Sequence, residues 1–414
     1  MEIVYHICCG IDVHAKFLVA CLLAEGKEEV RRFSTMTCDL VKLRKWLTDN
    51  RCGYVAIEST GVYWKPVFNI LERDLKVILV NPEHARALRG RKTDRLDSIR
   101  LAQLLSVGLL EGSFIPPAHI RRLRELTRYR ESLVRTHTAA VNRIQKVSES
   151  ANIKLAQVAS DVMGTSGRRM LAALAAGVTD PASMAQLALG KLKHKQAELQ
   201  QALDGALDSS HRFVLGELLG RIREMEAAQE KVNSQINRAI SDPDHPELLK
   251  AWELIQTIPG VGHIVAEVVI AEIGVNLRYH FPTPDHLASW AGIICPGNKA
   301  SGGKRFSGRT RRGNRYFRTI LVQAAWAATH TKQTYLSAMY RRLVRRMGKK
   351  KALVAAAHAL AVMIYHMVDR SEPYAELGAD YFERTQPEKQ LRYHVKRLQT
   401  LGFKVTLEKL ADAV

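Results

Sequence analysis

The sequence predicts a mixed α/β domain at the N-terminus followed by an almost wholly α-helical remainder. Three observations carry that expectation. Short apolar, β-rich runs alternate with helix-period runs as far as residue 115. The strand signal stops at Pro117. Beyond it, apolar residues recur at helical and heptad spacings, broken by Gly/Pro/Asp turn signals.

In chain order, "VYHICCGIDVH" and "FLVACLLA" are strands joined by the polar "AK", and "EVRRFSTMT" can be a third. "CDLVKLRKWLTDN" spaces Leu40, Leu43 and Leu47 as one helix face. "GYVAIEST" is a short buried strand, "VYWKPVFNILERDL" a helix, "KVILVN" a strand, and Thr93 to Leu110 a helix. From Pro117 to about Pro246, Leu218, Ile222, Met225, Val232 and Ile236 hold a/d positions around the polar Gln229. That stripe suits a coiled-coil hairpin, with self-association as one use, or equally a core stripe within one domain. "GTSGRRM" (164–170) and "GVTDPAS" (177–183) break the region, and a helix should start after Asp180-Pro181. "DPDHPE" (242–247) is a linker. Residues 251–275 follow as helix, tight turn and helix around "IPGVG". "TILVQAAWAATH", "YLSAMYRRLVRRMG" and 352–368 are helical, and the polar tail 371–414 ends in a β-like "FKVTL".

The 414 residues suffice for two or three domains. Apolar content of 46% and charged content of 25% are those of a globular protein, but a formal net charge of +21 calls for a polyanionic partner. From Lys299 to Lys351 there are sixteen Lys or Arg and no acid. Such a stretch releases condensed counterions on meeting a nucleic-acid backbone. The six cysteines, Cys8, Cys9, Cys21, Cys38, Cys52 and Cys295, form no CxxC pair and complete no zinc spacing, which suits reduced thiols in a cytoplasm. The N-terminal "MEIVYHICCGIDVHAKF" lacks the features of a secretory signal, and "ALVAAAHALAVMIYHMV" (352–368) reads as a buried helix rather than a membrane span.

Four acids could carry chemistry. Asp12 sits near the end of the first strand and Glu58 ends a later one. Asp94 and Asp97 share a helix face by their i, i+3 spacing, with Arg91, Lys92 and Arg95 beside them. Carboxylates gathered so closely persist with a multivalent cation between them, and hard oxygen ligands suit Mg²⁺ or Mn²⁺. Two such ions about 3.5–4 Å apart would clamp a phosphodiester. Singly, each acid has a plain structural use; Asp94 could cap its helix. The turn "TIPGVGHIVAEVVIAEIG" (257–274) matches a helix-hairpin-helix, whose Gly260 and Gly262 could free N–H groups for a backbone phosphate or could serve packing. In "SGGKRFSGRTRRGNRYFR", Gly302 and Gly303 allow close backbone approach to a ligand beside Ser301. No Walker pattern and no nearby His–Asp pair accompanies it, so spacing alone favours a phosphate-binding loop over a nucleophile. Tyr316 and Phe317 read as core or base-stacking residues.

Together, "GIDVHAK", "AIESTGVYWKPVFNILE", "GRKTDRLD", "LTRYRESLV", "GTSGRRML", "IPGVG…AEIG", "LASWAGIICPGN", "SGGKRFSGRTRRGNRYFR" and "LGADYFER" resemble the DEDD transposases of insertion-sequence family 110, the bridge-RNA-guided recombinases related to the Piv DNA invertase. The resemblance covers nearly the whole chain. It departs at Ala87-Leu88-Arg89, before "GRKTD", and at Ser98, and neither change removes a carboxylate. It implies an RNase H-like (RuvC-like) DEDD domain over 1–116 and a helical coiled-coil region over 117–247. A transposase domain with helix-hairpin-helix and catalytic serine would span 248–370, and a tail 371–414. By motif position Asp12, Glu58, Asp94 and Asp97 match the metal-binding set. Ser301 matches a serine that attacks DNA to form a phosphoserine link. Lys304, Arg305, Arg309, Arg311, Arg312 and Arg315 would hold DNA or RNA phosphates. A noncoding guide RNA, donor and target DNA, a dimer or tetramer, and a cytoplasmic, nucleoid-associated place complete the expectation. Because Ser301 and the acids lie far apart in sequence, the site would be composite. A RuvC-like nuclease using water, with Ser301 only binding, and a non-catalytic RNA-binding protein are the alternatives.

Overall fold

The first two N-terminal strands form because their apolar residues bury on both faces, whereas the third, at the sheet edge, is mostly exposed. β1 (Ile7–Val13), β2 (Phe17–Ala24) and β3 (Lys27–Ser34) pair antiparallel in succession, while β4 (Tyr54–Glu58) and β5 (Lys76–Val80) run parallel to β1. The sheet order is β3-β2-β1-β4-β5, which puts β1 at the centre. The computed structural model describes residues 3–58, 61–81, 93–294, 300–301, 304–305, 310–385 and 387–407.

Helices cover both faces of this sheet. α1 (Thr37–Asp49) and α2 (Trp64–Leu71) bury Leu40, Leu43, Trp46, Leu47, Val67 and Leu71 against Cys9, Ile11 and Val13. On the other face α3 (Asp94–Ser106) packs Leu101 and Leu105 with Cys8, Ala56 and Val80. A mixed sheet carrying helices on both faces is the predicted N-terminal class. Burial pushes the Cys8 and Cys21 thiols up to about 11 and Cys52 to about 12, so all three stay protonated and inert.

Chain contacts divide the protein into two units, Met1–Ile115 and Pro116–Val414. The second is helical. Its long elements α4 (Ala118–Ser150) and α9 (Ser209–Ile240) lie antiparallel, with Arg130 opposite Asn233, His137 opposite Glu226 and Ser150 opposite His211. Between them in sequence come α5 (Leu155–Val158), α6 (Thr165–Ala175), α7 (Pro181–Ala185), a 3₁₀ turn (Gly190–Lys195) and α8 (Gln196–Leu203). Asp180 caps α7 by accepting from the Ala182 and Ser183 amides, and Gly164 opens α6 rather than breaking the helical region. The apolar stripe Leu218, Ile222, Val232 and Ile236 is buried inside the unit. Leu218 and Ile222 join one core with Ile144 of α4 and Met170 and Leu174 of α6.

The remaining helices are α10 (Pro246–Gln256), α11 (His263–Ile273), α12 (Leu277–His280), α13 (Pro284–Ala291), α14 (Arg315–His330), α15 (Tyr335–Met347), α16 (Lys349–Arg370), α17 (Tyr381–Thr385) and α18 (Pro387–Thr400). A two-stranded ribbon, β6 (Ala300–Ser301) and β7 (Lys304–Arg305), lies between α13 and α14. By length and composition α16 could cross a membrane, yet half of its most apolar window is buried inside the protein. The expected strand "FKVTL" does not form: residues 403–407 are irregular. Five alternating residues make a strand only where a partner edge satisfies their amides, and among the described residues they pair with none.

Candidate active site

The direction of each side chain on β1 follows from the pleat. Cys9, Ile11 and Val13 enter the core under α1 and α2, so Cys8, Gly10 and Asp12 face α3. The same alternation on β4 turns Tyr54, Ala56 and Glu58 to that face. Ile11 pairs with Ile57, so Asp12 and Glu58 come one rung later on adjacent parallel strands. α3 reaches this end of the sheet because Gly10 has no side chain: a Cβ there would stand 2.3 Å from the Ser98 carbonyl oxygen and 2.4 Å from the Ala102 amide nitrogen. Ser98 itself is buried, its hydroxyl donating to the Arg95 carbonyl at 2.9 Å.

Thr93, not Asp94, caps α3, its Oγ1 accepting from the Leu96 amide at 3.3 Å. Asp94 and Asp97 therefore stand free of capping duty in the first turn, where the helix dipole favours negative charge. His14 joins the two elements, its Nε2 lying 3.1 Å from Asp12 Oδ2 and 3.3 Å from Asp94 Oδ1. Burial pushes the Asp12 carboxyl up from its ordinary value; His14 opposes this, while Asp94 and Asp97 add to it.

Asp12, His14 and Asp94 thus offer three ligand atoms within 4.8 Å of one another. Asp97 contributes its charge to the same spot, and Glu58 shares the face without belonging to that close group. A buried carboxylate crowded by like charges is relieved by a divalent cation, and the two carboxylates and imidazole are donors that fit one. His14 was missed by the sequence reading, although its i, i+2 spacing from Asp12 puts it on the same side of the chain. Arg91 and Lys92 lie outside the described residues.

A second cluster, His119, His245 and Glu247, joins the start of α4 to the residue before α10. Its imidazoles stack with centroids 3.7 Å apart and planes at 21°, so their ring nitrogens lie in two near-parallel planes. Burial, and then His245, push the His119 pKa down. This pair is a packing contact.

In the second unit, the turn between α10 and α11 carries Gly260 at φ +85°. A Cβ on Gly260 would stand 2.7 Å from the Ala328 amide nitrogen, so that side of the turn packs on α14. Gly262, the residue before α11, has open space where its Cβ would be. Downstream, a Cβ on Gly313 would meet Ala291 C and Gly292 N at 2.5 Å, so the two ends of the 293–312 segment touch at their backbones. Within that segment Ser301 pairs antiparallel with Lys304, and Ala300 with Arg305. Gly302, Gly303, Arg309 and Cys295 lie outside the described residues. Arg311 and Arg312 are exposed, Arg315 stands 5.1 Å from the Tyr316 ring centroid, and Phe317 is fully buried core.

Two buried acids of α11, Glu267 and Glu272, were also passed over, though an acid inside the apolar run "AEVVIAEI" is itself a signal. Glu267 pairs with Arg130 of α4. Glu272 takes both Arg128 nitrogens at 2.8 Å and the Asn314 side-chain amide at 2.6 Å.

A family model described as "Transposase", that of the IS110 DEDD transposases, matches residues 9–152. A second, described as "Transposase IS116/IS110/IS902 family", matches residues 252–341. The chain is 25% identical over 338 residues to the "Transposase for insertion sequence element IS1111A" of Coxiella burnetii, covering 78% of this chain and 80% of that protein. It is 23% identical over 328 residues to a "Probable family 20 transposase" of Pseudomonas aeruginosa, covering 77% and 85% respectively.

Proposed function

The chain belongs to the IS116/IS110/IS902 family of transposases, and on that premise we propose that it cuts and rejoins DNA at the ends of an insertion sequence, using the four acids and Ser301. The observation that carries this reading is the convergence of Asp12 and Asp94 at the C-terminal end of β1, bridged by His14. The acids Asp12, Glu58, Asp94 and Asp97 would hold Mg²⁺ or Mn²⁺, which supplies charge neutralisation of the phosphate and activation of a hydroxyl. His14 orients the Asp12 and Asp94 carboxylates towards one another.

Ser301 is the proposed nucleophile. Its oxygen bonds to phosphorus as one P–O bond of the DNA breaks, giving a serine phosphodiester and a free DNA hydroxyl. That hydroxyl, or one from another strand, reverses the step, so joining needs no external energy source. Lys304, Arg305, Arg309, Arg311, Arg312 and Arg315 neutralise the phosphates of DNA and of a noncoding guide RNA, and the Gly262 side of the α10–α11 turn adds a backbone contact. The working form is a homo-oligomer.

The test is to incubate the protein with the element's RNA, DNA and Mg²⁺ and look for a protein–DNA adduct on a denaturing gel. Ser301→Ala should abolish the adduct and Asp12→Asn should abolish cleavage. Cleavage without an adduct points to water as nucleophile, and binding without cleavage to a non-catalytic RNA-binding protein; either outcome overturns the reading.

A further inference from the structure

We propose that Glu272 is a positioning residue for the Ser301-bearing segment, acting through Asn314; this rests on Ser301 being the nucleophile. Glu272 lies on α11 with its side chain 0% exposed. Both carboxylate oxygens are engaged. Arg128 Nε and Nη2 each donate at 2.8 Å, Arg124 Nε lies 3.3 Å from Oε2, and Asn314 Nδ2 donates to Oε2 at 2.6 Å. Arg124 also donates to the Ala271 and Glu272 carbonyls at 3.1 and 2.5 Å. A buried carboxylate with this many partners is costly to desolvate, and an apolar residue would hold three helices together as well. What the carboxylate adds is direction.

Asn314 receives that direction. Its Oδ1 accepts from the Tyr316 and Phe317 amides at 3.0 Å and so caps α14, leaving Nδ2 for Glu272. The two ends of its amide are thereby distinguished, because reversing them would lose the cap and face Oδ1 with a carboxylate. Asn314 is also the post at which the loop closes. Its backbone N–H donates to the Trp290 carbonyl at 3.4 Å, and the neighbouring Gly313 lies against Ala291 and Gly292. Fixing Asn314 therefore fixes both ends of the segment that carries Ser301. On the opposite side Arg128 spreads its guanidinium 4.3 Å from the Tyr316 ring centroid. The seat of α4, one arm of the long hairpin, is thus tied to the loop through one carboxylate.

Asn314→Ser tests this cleanly, since serine keeps the cap of α14 and loses only the donor to Glu272, which stays paired with Arg124 and Arg128. Adduct formation at saturating DNA should slow at least about tenfold, as for an ångström-scale misplacement of a reacting group. The DNA dissociation constant should stay within about twofold, because binding is not what the contact serves. The pair Glu272→Gln with Asn314→Asp restores an amide–carboxylate bond in reverse and should recover rate lost in Glu272→Gln alone. A full rate in Asn314→Ser, equal losses of rate and affinity, or no recovery in the double variant overturns the proposal. If Ser301→Ala still forms the adduct, the underlying reading of Ser301 fails instead.

Discussion

Gly10 and Ser98 touch at their backbones: a methyl group on Gly10 would lie 2.3 Å from the Ser98 carbonyl oxygen. That approach seats α3 on β1 and so brings Asp94 to Asp12. Gly10→Ala must push the helix away, at a cost of about 1–3 kcal/mol for an overpacked contact. Urea unfolding should show that loss, and DNA cleavage should fall more than the folded fraction does. A variant that melts like the wild type would contradict the seating.

Divalent metal should stabilise the folded protein through the acids. At about a hundred times its dissociation constant, Mg²⁺ or Mn²⁺ should add about 2.7 kcal/mol, read as a rise in Tm. Asp12→Asn and Asp94→Asn should remove most of this rise. In EDTA, by contrast, Asp12→Asn should melt no lower than the wild type, since it removes a desolvated carboxylate from the company of Asp94 and Asp97.

Glu226 offers a pH test in the hairpin. Its hydrogen bond to Arg168, with His137 adding, holds its carboxyl below the ordinary value of 4.5. Because the folded value is depressed, the stabilisation is present above pH 4.5 and is lost as pH falls through the folded value. The group is partly exposed, so Glu226→Gln should cost less than about 1 kcal/mol at neutral pH. That difference should shrink in urea melts as pH falls below 4.5 through the depressed folded value. A gap that widens in acid would refute the assignment.

The basic face of α15 should bind without reading sequence. Arg345 and Arg346 are exposed in its last turns. Replacing both by alanine should weaken binding to all DNA sequences alike. It should also reduce the slope of log affinity against log salt by up to about 2, roughly one per lost phosphate contact.

Much of the first unit was legible because a strand's period of two and a helix's i, i+3 spacing decide facing from local sequence alone. Asp94 and Asp97 could be assigned to one helix face that way, and Asp12 and Glu58 to strand ends. What brings α3 against β1 was not legible, since Gly10 names no partner 88 positions away. Glu272 and Asn314 escaped for the same reason: their bond spans 42 residues and depends on how α11 crosses the start of α14. His14 was overlooked although local spacing exposed it. The tail's "FKVTL" misled because alternation reports a strand's faces and says nothing of an available edge.

The touching backbones of Gly292 and Gly313 make the segment between them a detachable cassette. Insertions there would leave α13 and α14 in register, and each doubling of its length would add only about 0.6 kcal/mol of closure entropy. A change of length there would leave the helices beneath it in place, provided a residue able to cap α14 follows the second glycine.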